Sequence, residues 1–137
     1  MKIREPFSVY SNIIFLIPLY FSFYNELYIH AVLIFLVFIS SIFFHTIKPI
    51  GAVWWNDTER LTTLQKIALW KDTIFASCLV IFNLFVFWQK SFPIEFYYAM
   101  AIFLFGLGFF FSVKKEHYDF SQGIWHILVG IATMFAI

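Results

Sequence analysis

An all-α bundle that crosses a membrane several times is the fold class this sequence predicts, on three observations. The 137 residues are 62% hydrophobic and 24% aromatic with only 12% charged, where a soluble domain is about half apolar and a quarter charged. The mean hydropathy is +0.84. Five stretches approach the roughly 20 mostly apolar residues that cross a hydrocarbon core of about 30 Å. A soluble enzyme is excluded, because the chain lacks the polar surface to cover itself. Phe 21 against Gly 5 and Pro 4 excludes disordered and collagen-like chains. A net charge of +1 leaves no basic field, so no nucleic-acid partner is expected. Cys78, the one cysteine, can form neither an internal disulfide nor a paired-cysteine metal site.

The spans are expected at 7–23, 27–46, 68–88, 94–113 and 120–137, in one transmembrane domain over 1–137 without internal repeats. Each is apolar on nearly all faces, which favours helices over the alternation of a barrel. Asn25-Glu26 is too short for more than a hairpin turn, and so is the stretch from Trp88 to Pro93. The longer connection from Lys48 to Ile67 carries Pro49, Gly51 and the pair Trp54-Trp55, aromatics that favour the headgroup layer. Cap-forming residues and early acids in Asn56-Asp57-Thr58-Glu59 predict that the third helix begins near Thr58 and projects beyond the bilayer.

Orientation follows from the basic residues. Lys2, Arg4, Lys48, Arg60, Lys66, Lys71, Lys114 and Lys115 fall on one side and only Lys90 on the other. That bias of eight to one places the N-terminus in the cytoplasm. No small-residue cleavage site follows Tyr20-Phe21-Ser22-Phe23, so the first span is expected to be retained. The expected location is a multi-pass position in a bacterial inner membrane.

Polar residues at membrane depth are costly and point to function by default. Ser41 and His45 lie near the cytoplasmic end of span two, four apart and so on one face. Asp72 lies near the same end of span three, Gln122 and His126 near that end of span five, and Ser11-Asn12 near that end of span one. One polar site facing the inner leaflet accounts for this coincidence. The opposite leaflet holds His30 and Glu95 near the interface, with Asn83 as helix-contact glue. Each residue alone has a plainer reading. A single intramembrane histidine or serine is commonly a packing residue. Asp72 beside Lys71 could be interfacial, and His117 solvated.

Two histidines and a carboxylate from different helices suit zinc, which would lower the pKa of a bound water towards about 7. Ser41 could then hold an oxyanion and Asp72 act as base or fix a histidine tautomer. A site at that depth would meet a membrane lipid amide or ester.

Ser41-Ile-Phe-Phe-His45 resembles the S-x3-H motif of the CREST superfamily of membrane hydrolases. That group includes alkaline ceramidases, the PAQR and haemolysin-III-type proteins and the myomaker-like proteins. The stretch from Leu64-Gln65 through Asp72 to Ser77 is similar to the segment carrying the family's aspartate, most of all in the myomaker-like branch. Gln122-Gly123-Ile124-Trp125-His126 is similar to the family's H-x3-H motif, and Ser11-Asn12 also fits the myomaker-like branch. The resemblance implies a zinc ion held by three histidines, with His45 and His126 as ligands, Gln122 at the third ligand position, and Ser41 and Asp72 in the serine and aspartate roles. Two departures stand out. Gln122 is a poor zinc ligand where the family has histidine, leaving His117 or Asp119 as the residues that could reach in. The family also has seven spans against the five expected of this chain.

Three hypotheses follow. The first is a zinc-dependent lipid amide or ester hydrolase. The second is a non-catalytic membrane protein that keeps the scaffold and uses the polar cluster for helix packing or lipid binding. The third, haem held by His45 and His126, is disfavoured by the acid beside them. Outward phenylalanines would also allow the bundle to form a homo-oligomer.

Overall fold

The computed structural model describes residues 6–49, 57–111 and 117–137. Their regular structure is entirely helical. Five long helices run in order: α1 (Pro6–Tyr24), α2 (Tyr28–Ile47), α3 (Thr63–Gln89), α4 (Ile94–Phe111) and α5 (Tyr118–Met134). The first four are long and apolar enough to cross a membrane, so the chain is a multi-pass membrane protein. α5 has 17 residues, about 25 Å at 1.5 Å per residue.

α1 is not uniform. Asn12–Phe15 tightens into a 3-10 turn between α-helical segments. Pro18 supplies the physical reason, because its ring cannot donate to the carbonyl of Ile14 and crowds it. The turn lies in the stretch that carries Ser11 and Asn12 to the bundle interior, where Asn12 is fully buried.

The hairpins end in left-handed residues rather than glycines. Glu26 has φ 61°, and Leu27 N–H donates back to Ser22 O at 2.8 Å, closing α1. Ser91 and Phe92, at φ 56° and 52°, close α3, with Phe92 N–H donating to Phe87 O at 2.8 Å.

α3 starts later than the sequence predicts. Thr58–Arg60 forms only a short 3-10 turn, and Thr62 caps the helix. Gln65 N–H donates to Thr62 Oγ1 at 3.4 Å, while Thr62 N–H donates to Gln65 Oε1 at 2.9 Å. This reciprocal pair satisfies two free amides and outweighs the upstream acidic signal. The Gln65 amide also donates to Ile47 O, tying the start of α3 to the end of α2. Gly51 and the Trp54-Trp55 anchors fall outside the described residues, as do Lys2, Arg4, Lys114 and Lys115 of the charge count.

Backbone packing follows an open arc. α3 lies along α2, α2 along α1, α1 along α5 and α5 along α4. α3 and α4 are neighbours in sequence and stand at the two ends of this arc. Near their connecting turn the Phe87 and Phe96 rings meet edge-on, 5.5 Å between centroids. Beyond it their backbones stay apart. Only 11% of an 18-residue apolar stretch of each is buried, so many of their apolar side chains lie on the outside of the bundle.

Candidate functional site

The gap between the ends of the arc is a cavity of about 350 Å³, within the range of small-molecule sites. Ser41, His45, Asp72, Gln122 and His126 all line it, among mainly apolar residues drawn from all five helices. A smaller cavity of about 110 Å³ continues along the α3–α4 seam and shares Val80, Phe103 and Val129 with the first.

His126 is the hub. Its Nδ1 lies 3.0 Å from Ser8 O, 3.1 Å from Ser11 Oγ and 3.2 Å from Asn12 Nδ2. Its Nε2 lies 3.3 Å from both Ser41 Oγ and Gln122 Nε2. The network assigns the tautomer. A backbone carbonyl can only accept, so Ser8 O calls for a proton on Nδ1. With the proton on Nδ1, the Gln122 amide nitrogen donates to the lone pair on Nε2. Asn12 Nδ2 donates to Ser8 O at 2.7 Å and Ser11 Oγ donates to Ser8 O at 3.1 Å, so neither needs a lone pair on Nδ1. Nε2 therefore turns its lone pair towards Ser41 and the cavity.

This arrangement needs α1 pressed closely on α5, and two glycines permit it. Gly123 and Gly130 lie three residues before and four after His126, on its face of α5. A Cβ at Gly123 would overlap the Phe7 ring, and one at Gly130 would come 2.7 Å from Ile14 Cγ2. Asp119 adds the second clamp. Its carboxylate accepts from Phe7 N–H at 3.1 Å and Ser8 N–H at 2.7 Å, the free amides of the first turn of α1. Asp119 thus serves the start of α1 rather than a third ligand position, and His117 is exposed.

Asp72 stands on the α3 wall, where Ser40 Oγ donates to its Oδ1 at 3.4 Å. The histidine tautomer is set by Ser8 O, not by this aspartate. The His45 ring meets the His126 ring edge-on, 4.9 Å between centroids. Lys48 is buried, its ammonium 3.5 Å from the centroid of the Tyr118 ring, which lines the cavity. Sequence reasoning missed Ser8, Ser40 and Tyr118. A serine turned inward at the same end of span one was the one signal for Ser8.

A catalytic zinc takes three protein ligands and a water. Two imidazoles stand together here, but the third position is a neutral amide whose nitrogen faces His126. Among the described residues no group of three or more His, Cys, Asp or Glu converges. The donor set therefore falls one ligand short of the zinc site that the resemblance implies. Elemental analysis should find well under one zinc per chain, and Gln122→His should raise that occupancy. Unchanged zinc in the variant would mean that position 122 does not set metal affinity.

A second polar chain lies towards the other end of the bundle. His30, in the first turn of α2, is 1% exposed. Its Nε2 meets Asn83 Oδ1 at 2.7 Å and its Nδ1 meets Ser22 Oγ at 3.4 Å, while Asn83 Nδ2 donates to Thr133 Oγ1 at 3.3 Å. The chain joins four helices through side chains already bonded to one another, which is the work of packing. Asn83→Leu should lower stability by about 1 kcal/mol in thermal unfolding. It should leave the Ser41 end of the cavity unaltered.

Compared with models of protein families, with curated proteins and with solved structures, the chain matches none.

Proposed function

We propose that this protein is an integral membrane hydrolase that acts on the carbonyl of a membrane lipid, an ester or an amide. One observation carries the reading: a single cavity between apolar helices is lined by Ser41, His45, Asp72, Gln122 and His126 together. Its mouth, between α3 and α4, would admit a lipid sideways from the bilayer. The apolar continuation along Val80, Phe103 and Val129 would take an acyl chain, leaving the carbonyl beside the polar residues. The positive-inside bias of the sequence puts that end towards the cytoplasm.

The competing reading is a non-catalytic scaffold. It draws on the bonding of the polar side chains to one another, Ser40 with Asp72 and Ser41 with His126. Purified protein reconstituted in liposomes of defined ester and amide lipids separates the two. Free fatty acid measured by mass spectrometry should accumulate with wild type and with Ser22→Ala, and should fall to background with His126→Ala. Absence of release from every lipid class, with the fold intact, would leave the scaffold reading standing.

A further inference from the structure

The bonds around His126 have the form of an activated nucleophile. Such a site needs a hydroxyl or thiol within reach of a base, and a third group that holds the base in the right tautomer and orientation. Ser41 Oγ is 3.3 Å from His126 Nε2. This is a loose distance of the kind that tightens when substrate binds. Ser8 O, with Ser11 and Asn12 around it, holds the proton on Nδ1 and leaves Nε2 as the base. Ser41 is 2% exposed yet lines the cavity, so its oxygen meets what enters there and little bulk water. The neighbouring Ser40 is turned away, bonded to Val37 O and Asp72. Gln122 adds an amide nitrogen with two N–H groups, 3.3 Å from the same Nε2.

We propose that Ser41 and His126 form a nucleophile–base pair that cleaves a lipid ester through a covalent acyl-serine, without a metal-activated water. The inference rests on the hydrolase reading and names its nucleophile and its substrate class. Ser41 Oγ bonds to the ester carbonyl carbon while its proton passes to His126 Nε2. The carbonyl oxygen takes up the negative charge, and the Gln122 amide donates to it. The tetrahedral species collapses, the carbon–oxygen bond to the alcohol breaks, and Nε2 gives its proton to the departing oxygen. A water then attacks the acyl-serine carbonyl, losing its proton to Nε2. When the Ser41 ester bond breaks, that proton returns to Ser41 Oγ. The products are a fatty acid and an alcohol, and the side chains end as they began. This chemistry explains how position 122 can hold an amide: a hydrogen-bond donor is useful to an oxyanion, and a third metal ligand is not needed.

A long-chain alkyl fluorophosphonate tests the pair, because it bonds to an activated serine with loss of fluoride. Wild-type protein in liposomes with excess EDTA is treated with the probe, digested and mapped by mass spectrometry, and fatty acid release is measured under the same conditions. The expected result is one adduct per chain on Ser41, with release persisting in EDTA. Labelling should slow by about 10²–10⁴-fold in His126→Gln, which keeps a polar side chain at that position. Ser22→Ala, a change in the distant polar chain, should label as wild type. The mapping in wild type stands by itself should a variant fail to fold. Release without an adduct on Ser41 overturns the pair and leaves the hydrolase. Release that stops in EDTA and returns with zinc also overturns it, in favour of metal-activated water. Neither adduct nor release overturns both.

Discussion

Replacing His126 with alanine should reduce fatty acid release by about 10²–10⁴-fold, the usual worth of a positioned general base. It should also lower stability, by roughly 2–4 kcal/mol. The ring is 5% exposed and joins α1, α2 and α5 through both nitrogens. Its loss leaves a void and strands Ser41 and Gln122. Each intramembrane hydrogen bond is worth only about 0.6 kcal/mol on average, so the void supplies much of the total. Thermal unfolding in detergent beside the release assay reads both effects. A variant with full activity and an unchanged melting temperature would remove His126 from the centre of the site.

Gly123→Leu should be nearly as damaging, although the residue carries no chemistry. Even a methyl group at this position overlaps the Phe7 ring, which is stacked on Phe120 at 5.6 Å. Something must move, and the movable body is the start of α1. Overpacking of this kind costs about 1–3 kcal/mol. The shift would carry Ser8, Ser11 and Asn12 away from His126 and free its tautomer, so activity should fall with stability. Phe7→Ala opens the same space from the other side. The Gly123→Ala and Phe7→Ala pair should therefore show a favourable coupling in a double-mutant cycle. Additive effects would mean that the two surfaces do not press on each other.

Much of this fold was legible in hydropathy. The four spanning helices begin and end within a few residues of the apolar stretches, apart from α3. There the Asn56–Glu59 signal competed with Thr62-Thr63-Leu64-Gln65, and the second is a capping box readable from spacing alone. The shared depth of Ser11, Asn12, Ser41, His45, Asp72, Gln122 and His126 was also legible, since depth follows from position along a helix. Rotation about the helix axis was not. Ser40 and Ser41 are about 100° apart on α2, and only packing decides which one meets Asp72 and which meets His126. In the sequence Asp119 reads as a residue that could reach towards the third ligand position, because the start of α1, which it caps, is far away along the chain. The bond of His30 to Asn83, and of Asn83 to Thr133, was not legible because these residues come from helices whose faces hydropathy cannot orient.

The clamp between Asp119 and the start of α1 bears on how the protein is made. The two sides of the Ser8–Asp119 bond are 111 residues apart, and the His126 bonds to Ser11 and Asn12 span 115 and 114. A chain emerging into the bilayer in sequence order carries the Phe7 and Ser8 amides of its first helix without their Asp119 cap until the last helix arrives, while Ser11 and Asn12 bond only to Ser8 O. Pairings this distant in sequence form late. Until then the first span lacks two groups that fix its rotation, the carboxylate of Asp119 and the ring of His126. A chain truncated before Asp119 should therefore hold its first helix against α2 alone.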